Sequence, residues 1–217
     1  MQYIFGYGSL IYSHSRNRTT PGKEKVYPIT IKGLARGWWA LVPSIGPSTT
    51  FLGCVESEKL NIHENDCFVN GVVYEVTDSE LALTDRRESG YRRVKVDFFD
   101  IFDYCGKLTK NDTVWIYLNE GDQDFPLNQY PSNEFPIVQS YVDLCINGCI
   151  EIESNFPEAK GFIEDFIKTT LHWNEKWVND RLYPRRPFIY EPNASFIDRL
   201  LKQHLTDTNL LSNRTIE

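Results

Sequence analysis

Basic residues are in deficit in this chain. Lysine and arginine number 23 against 30 aspartates and glutamates, a formal net charge of −7. No Lys/Arg cluster is dense enough to make a local exception, which argues against nucleic-acid binding. The nearest approach is Tyr183-Pro184-Arg185-Arg186-Pro187, which reads as a surface turn with salt-bridging arginines. Long apolar runs are also lacking. None approaches the ~20 residues that cross a bilayer, so no membrane anchor is expected. Tyr3, Ile4 and Phe5 already read as a strand, so no signal peptide is expected either. The five cysteines are an odd number without a CxxC pair, which points to reduced thiols and a cytoplasmic protein. Cys145 and Cys149 stand four apart without a nearby histidine. Core packing is their expected role, and no metal site is expected. Internal repeats and low-complexity segments are missing as well.

What the chain does have is length and apolar content for one well-packed domain. It has 217 residues, of which 41% are hydrophobic and 14% aromatic. The first half is rich in short β-branched or aromatic runs: Tyr3–Phe5, Ile29–Ile31, Trp38–Val42, Gly53–Glu56 and Val69–Val76. Val114–Leu118 is another. Thr77-Asp78-Ser79-Glu80 reads as a capping box opening a short helix, with Gly90 as its stop. Alternation resumes from Tyr91 to Phe99, and its parity puts Arg92 on the apolar face, where it needs an anionic partner. In the adjacent pair Trp38-Trp39, the same parity turns only one indole inward. From Ile137 the pattern turns helical. Helices are expected over Ile137–Ile150, from Pro157 to about Leu171, and over Ala194–Leu205 with Asn193 as N-cap. A long aromatic connection, Trp173 to Pro192, separates the last two, and the polar residues from about 206 onward read as a frayed tail. Strands in front and helices behind make an α+β protein, one domain over 1–217 with a mostly helical part at about 137–205.

The most informative stretch is Ile4–Ile11, IFGYGSLI. A strand breaks at Gly6-Tyr7-Gly8-Ser9. Both glycines can adopt φ > 0 and let a ligand approach the backbone. Tyr7 and Ser9 offer hydroxyls, and Ser9 and Leu10 offer backbone N–H groups. Such a corner can form a nest for a carboxylate or phosphate. By itself a Gly-X-Gly turn is common, and a plain strand-ending turn is the competing reading.

A second segment, TDRRESGYRRV at Thr84–Val94, changes the balance. With the first it resembles the γ-glutamylcyclotransferase superfamily, which includes the ChaC-like, glutathione-degrading branch. The match falls on Gly6, Tyr7, Gly8, Ser9 and Leu10, then on Arg87, Glu88, Gly90 and Tyr91. It covers roughly the first two-thirds of the chain. The resemblance implies a small mixed β-barrel with helices packed around it. It implies a γ-glutamyl-binding loop at Tyr7, Gly8, Ser9 and Leu10, with Tyr91 as a further contact and Glu88 as the proton-transferring residue. The implied reaction is internal: the α-amine of a γ-glutamyl group attacks its own γ-carbonyl and releases 5-oxoproline and a free amine. It requires no cofactor, metal or nucleotide, only a small-molecule γ-glutamyl substrate, and one carboxylate can act as base and then acid.

Glu88 lies seven residues after Leu81, nearly on one face of the capped helix. An inward Leu81 therefore carries Glu88 inward. The competing reading is a surface glutamate paired with Arg86, Arg87 or Arg92. Ser9 is not a hydrolase nucleophile, because no GxSxG surrounds it. The turn Ser89-Gly90-Tyr91 is shorter than the Gly-containing turn of the ChaC-like branch. Glutathione, γ-glutamyl amino acids and γ-glutamyl amines thus all stay open as substrates. Two other classes remain: a non-catalytic binding module of the same fold, with Glu88 turned to solvent, and an unrelated α+β domain presenting a Trp173/Trp177 patch to a protein partner. The roles of Arg36 and of the Trp173–Tyr190 connection are not assigned by sequence, nor is the oligomeric state.

Overall fold

The computed structural model describes residues 1–42, 48–88, 90–119, 131–185 and 193–216. Ser89, Arg186, Pro187 and Tyr190, each part of a motif noted above, lie outside the described residues. In chain order the strands are β1 (Gln2–Gly6), β2 (Tyr27–Lys32), β3 (Leu34–Val42), β4 (Thr49–Glu56), β5 (Phe68–Glu75), β6 (Tyr91–Lys95), β7 (Ile101–Asp103), β8 (Thr113–Asn119), β9 (Ile137–Val138), β10 (Thr170–Leu171), β11 (Trp177–Asn179) and β12 (Thr215–Ile216). The helices are α1 (Ser13–Thr19), α2 (Asp78–Arg87), α3 (Gln139–Asn155), α4 (Phe162–Thr169), α5 (Ala194–His204) and α6 (Asn209–Ser212). The α+β class is as expected, and its strands form two mixed six-stranded sheets. One runs β6-β8-β1-β5-β2-β7 and the other β10-β3-β4-β9-β11-β12. β1 is central to the first, antiparallel to β5 and parallel to β8.

The strands expected from sequence form, although the alternating segment from Tyr91 is a strand only to Lys95 and turns into a 3-10 turn at Phe98–Asp100. The capping box forms too, and its helix stops at Arg87 with Glu88 as C-cap, ahead of Gly90. The Thr77 hydroxyl accepts from the Glu80 amide, and the Glu80 carboxylate accepts from the Thr77 amide. The back of the chain departs from a purely helical reading. Ile137–Val138 is a strand beside β4 and β11, and the helix begins only at Gln139. A short apolar run fits a buried strand and a buried helix equally well. Thr170–Leu171 likewise leaves α4 to pair with β3. Part of the tail is ordered, since β12 pairs with β11. Asn193 is the N-cap of α5, as expected, and its carbonyl accepts from the Phe196 and Ile197 amides; its side chain makes no capping bond, the amide instead donating to Asn147 Oδ1.

Two inward-facing expectations are corrected. Trp38 and Trp39 are both buried, because both faces of β3 are covered. Trp38 packs in the main core against Tyr141 and Trp173, and Trp39 in a separate cluster with Ala35 and Val55. A register shift between Trp38 and Ala40 accompanies the change of side. Arg92 is exposed instead of inward. It lies on an edge strand and pairs with the Glu56 carboxylate at 3.0 Å.

α3 is buried nearly all round, as befits a helix between layers. Gly148 allows it to lie directly on the chain after the loop, since a Cβ there would fall 2.6 Å from the Tyr12 amide nitrogen. Cys145 and Cys149 pack in the core on this helix. No helix among the described residues is long and apolar enough to cross a membrane.

Candidate active site

The loop after β1 is built around a short turn. Residues Ser9–Ile11 form a single 3-10 turn, closed by the Ile11 amide donating to the Gly8 carbonyl at 3.0 Å. The amides of Ser9 and Leu10 fall in its first turn, where N–H groups have no intrahelical acceptor. The glycines act differently from the sequence expectation, because neither Gly6 nor Gly8 has positive φ. Gly6 is required by closeness: a Cβ there would sit 2.7 Å from the Leu10 Cβ. The missing side chain lets the loop fold back on its own strand.

Two buried guanidinium groups pin this loop. Arg16 donates to the carbonyls of Leu10 (2.8 Å) and Ile11 (2.9 Å), and Arg36 donates to the Tyr7 carbonyl (3.2 Å). Both are fully buried. Burial lowers the pKa of each, that of Arg36 to about 10, so Arg36 remains protonated at neutral pH.

The loop forms one wall of a cleft of about 450 Å³, within the usual range for small-molecule sites. The opposite side is the C-terminal end of α2. Leu81 is buried and Leu83 exposed, so the helix faces as the spacing from Leu81 to Glu88 requires. Glu88 closes α2 as its C-cap and lines the cleft, with its side chain 26% exposed. Arg87, also lining the cleft, donates to Glu88 Oε1 at 2.7 Å. The surface-pair reading is thus half right: the pair exists, but it faces the cleft. No hydrogen bond reaches Oε2 of Glu88 among the described residues.

Every residue singled out from sequence lines this cleft: Tyr7, Gly8, Ser9, Leu10, Glu88 and Tyr91. The Tyr7 hydroxyl donates to the Tyr117 carbonyl at 3.0 Å, so Tyr7 is a wall and a tether. Burial, then the neighbouring Tyr91, holds its pKa well above the usual phenol value. Burial raises that of Tyr91 too, with the Glu88 charge adding to it.

Four lining residues escape sequence reasoning: Phe51 and Leu52 of β4, Tyr117 of β8 and Tyr141 of α3. They come from three separate elements, and no local pattern marks them. The Tyr117 hydroxyl donates to Asp85 (2.8 Å), which also pairs with Arg93 (2.7 Å), tying the cleft floor to α2 and β6. Phe51 and Tyr141 pack ring to ring with centroids 4.6 Å apart. The Trp173/Trp177 patch required by the protein-partner reading is not formed. Trp177 is buried, Trp173 is half-buried, and the two rings stack on each other.

No family model matches the chain, and no curated protein matches it. Solved structures do. A γ-glutamyl cyclotransferase is similar over 74% of this chain and 85% of its own, with a TM-score of 0.52 and 15% identity. A yeast γ-glutamyl cyclotransferase specific to glutathione is similar over 98% and 96%, with a TM-score of 0.51 and 13% identity. An uncharacterised protein from Homo sapiens is similar over 73% and 86%, with a TM-score of 0.51 and 18% identity. At such identities the likeness is one of architecture: this chain has the γ-glutamyl cyclotransferase fold.

Proposed function

We propose that the protein is a γ-glutamylcyclotransferase that converts a γ-glutamyl amide into 5-oxoproline and a free amine. The observation that carries the reading is that Glu88 and the Gly6–Leu10 loop line the same cleft. A carboxylate and a bed of backbone donors facing one small volume is what this cyclisation uses.

The balance of the reaction defines the roles. Two protons leave the α-nitrogen as it becomes the ring amide, and two arrive on the departing nitrogen as it becomes an ammonium. One carboxyl group can carry them in turn. Glu88 takes a proton from the α-ammonium, and the freed amine attacks the γ-carbonyl carbon. The tetrahedral oxyanion collapses as Glu88 returns protons to the leaving nitrogen. Arg87 on Oε1 holds the carboxylate in place while Oε2 works. Amides of Gly8, Ser9 and Leu10 hold the α-carboxylate or the oxyanion, where each well-aimed donor is worth ~3 kcal/mol. Tyr7 and Tyr91 wall the folded glutamyl chain, and holding it in a near-attack shape supplies much of the remaining acceleration.

The test is 5-oxoproline release by purified protein. Donors are glutathione, γ-glutamyl amino acids and γ-glutamyl amines, with Glu88→Gln beside wild type. Release that vanishes in the variant supports the reading, and the preferred donor names the substrate. Release retained by Glu88→Gln removes Glu88 as the base, and release from no donor overturns the reading. Action in the cytoplasm, as one independently folding unit, belongs to the same proposal.

A further inference from the structure

Arg36 carries a full charge in the interior, and its partners are all neutral. Its guanidinium donates to the Tyr7 carbonyl (3.2 Å), the Asn70 carbonyl (2.8 Å) and the Asn70 side-chain oxygen (3.0 Å). It also donates to the Phe166 carbonyl (3.0 Å) and to the hydroxyls of Thr169 (3.2 Å) and Thr170 (2.9 Å). Its plane covers the Phe166 ring, with Cζ 3.8 Å from the centroid. Among the described residues no carboxylate lies within ion-pair distance of it. The ionisable groups of largest influence are the thiols of Cys149, Cys54 and Cys145 and the phenol of Tyr141. Asp165 on α4 also senses its charge without contact. A buried cation is costly unless an anion accompanies it.

The position of Arg36 suggests what the charge is for. It touches the cleft loop at one atom, the Tyr7 carbonyl oxygen. The chain has no cis peptide bond. In a trans peptide the N–H points opposite to the preceding C=O. Holding the Tyr7 carbonyl on the buried side therefore turns the Gly8 N–H to the other face of the loop, and Gly8 lines the cleft. A cation on the carbonyl also polarises the peptide and strengthens that N–H as a donor.

We propose that Arg36 is a positioning residue for the cleft loop: it sets the Gly8 N–H toward the ligand and places an uncompensated positive charge beneath the spot that takes the substrate's carboxylate. This deepens the γ-glutamyl reading and rests on it. The loop thereby selects ligands with a free α-carboxylate over otherwise identical neutral ones.

The experiment separates charge from packing. Binding of 5-oxoproline and of its carboxamide, which lacks the charge, is measured by calorimetry for wild type, Arg36→Lys, Arg36→Gln and Asn70→Asp. Asn70 lies 3.0 Å from the guanidinium, so aspartate there keeps the arginine and cancels its charge; it also loses the hydrogen bond from the Asn70 side-chain amide to the Phe162 carbonyl (2.7 Å), a structural cost that falls on both compounds alike. Wild type is expected to prefer the carboxylate. Asn70→Asp and Arg36→Gln are expected to weaken 5-oxoproline about tenfold, as for coupled charge pairs, and to leave the carboxamide within about twofold. Arg36→Lys should fall between them. A purely structural role would move both compounds together. If Arg36→Gln does not fold, Asn70→Asp decides. Asn70→Asp binding 5-oxoproline as wild type does would overturn the proposal, and so would a wild type that fails to discriminate. Failure of the γ-glutamyl reading looks different: neither compound binds, and no donor yields 5-oxoproline.

Discussion

Arg36 and Arg181 anchor different parts of the molecule with opposite electrostatics. Arg36, beneath the cleft loop, donates only to carbonyl, amide and hydroxyl oxygens. Arg181, just after β11, grips Asp143 with two bonds of 2.7 Å and Asp198 with one of 3.0 Å. Their pKa values move accordingly. Burial lowers that of Arg36, whereas for Arg181 the lowering by burial is outweighed by Asp143 and Asp198, and the value rises. Arg181 ties α3 to α5 and the C-terminal strands, and its charge is cancelled where it stands. Arg36 and Arg16 hold a loop that lines the cleft, and the charge of Arg36 has no carboxylate partner among the described residues. Where an arginine serves architecture alone, local neutralisation suffices; the cleft region departs from that rule.

The largest expected effect breaks the cleft side alone. Glu88→Gln should lower 5-oxoproline release about 10³-fold, the usual scale for losing a general base. The melting temperature should stay at the wild-type value, since the glutamine amide retains the shape. Asp143→Ala breaks the other side. It leaves Arg181 with Asp198 as its remaining carboxylate and Gln139, which also donates to Asp143, without its acceptor. The cost expected in a denaturant titration is about 3–5 kcal/mol, as for breaking a buried ion pair. The ratio of kcat values for two donors should not change. Gly8→Val sharpens the contrast, because it fills the cleft without touching either arginine. A Cβ at Gly8 already stands 3.1 Å from the Tyr141 hydroxyl. KM should rise about tenfold or more, the scale of a lost cluster of ligand contacts, with kcat reduced less. A KM equal to that of wild type would count against the cradle.

The smallest effect concerns the helix that carries Glu88. Thr77→Ala should cost about 1 kcal/mol, the usual value of an N-cap. The partner group Glu80 adds a pH dependence. Its carboxyl is held below the usual glutamate value, first by Lys23 and then by the Thr77 amide. A depressed acid contributes stability that is complete above its ordinary value and lost as pH falls through the depressed one. Amide exchange in α2 should therefore accelerate in that acidic window, and less so in Lys23→Met. An exchange rate flat through the window would remove the Lys23–Glu80 contact as a support of α2.

Local features were legible in the sequence and remote ones were not. The capping box at Thr77 is contained within four residues, and it formed as read. The loop and Glu88 were legible as two matched segments, and they line one cleft. The reason for Gly6 was misread, because close approach of Leu10 cannot be told from positive φ without the fold. Trp38 and Trp39 defeated the parity rule, which assumes a strand with one wet face. Arg92 defeated it from the opposite direction, at an edge. Phe51, Tyr117 and Tyr141 reach the cleft from β4, β8 and α3, a convergence that only long-range packing creates.

The walls of the cleft belong to both sheets: the β1 loop, α2 and Tyr117 of β8 on one side, and Phe51 and Leu52 of β4 with Tyr141 of α3 on the other. A bound molecule is therefore a non-covalent staple across the seam. Opening the seam must then release it, so occupancy adds to the stability of the whole fold by mass action, about 2.7 kcal/mol at a hundredfold excess over Kd. Heating the protein with compounds one at a time would thus find ligands that are never turned over, and would do so even in Glu88→Gln.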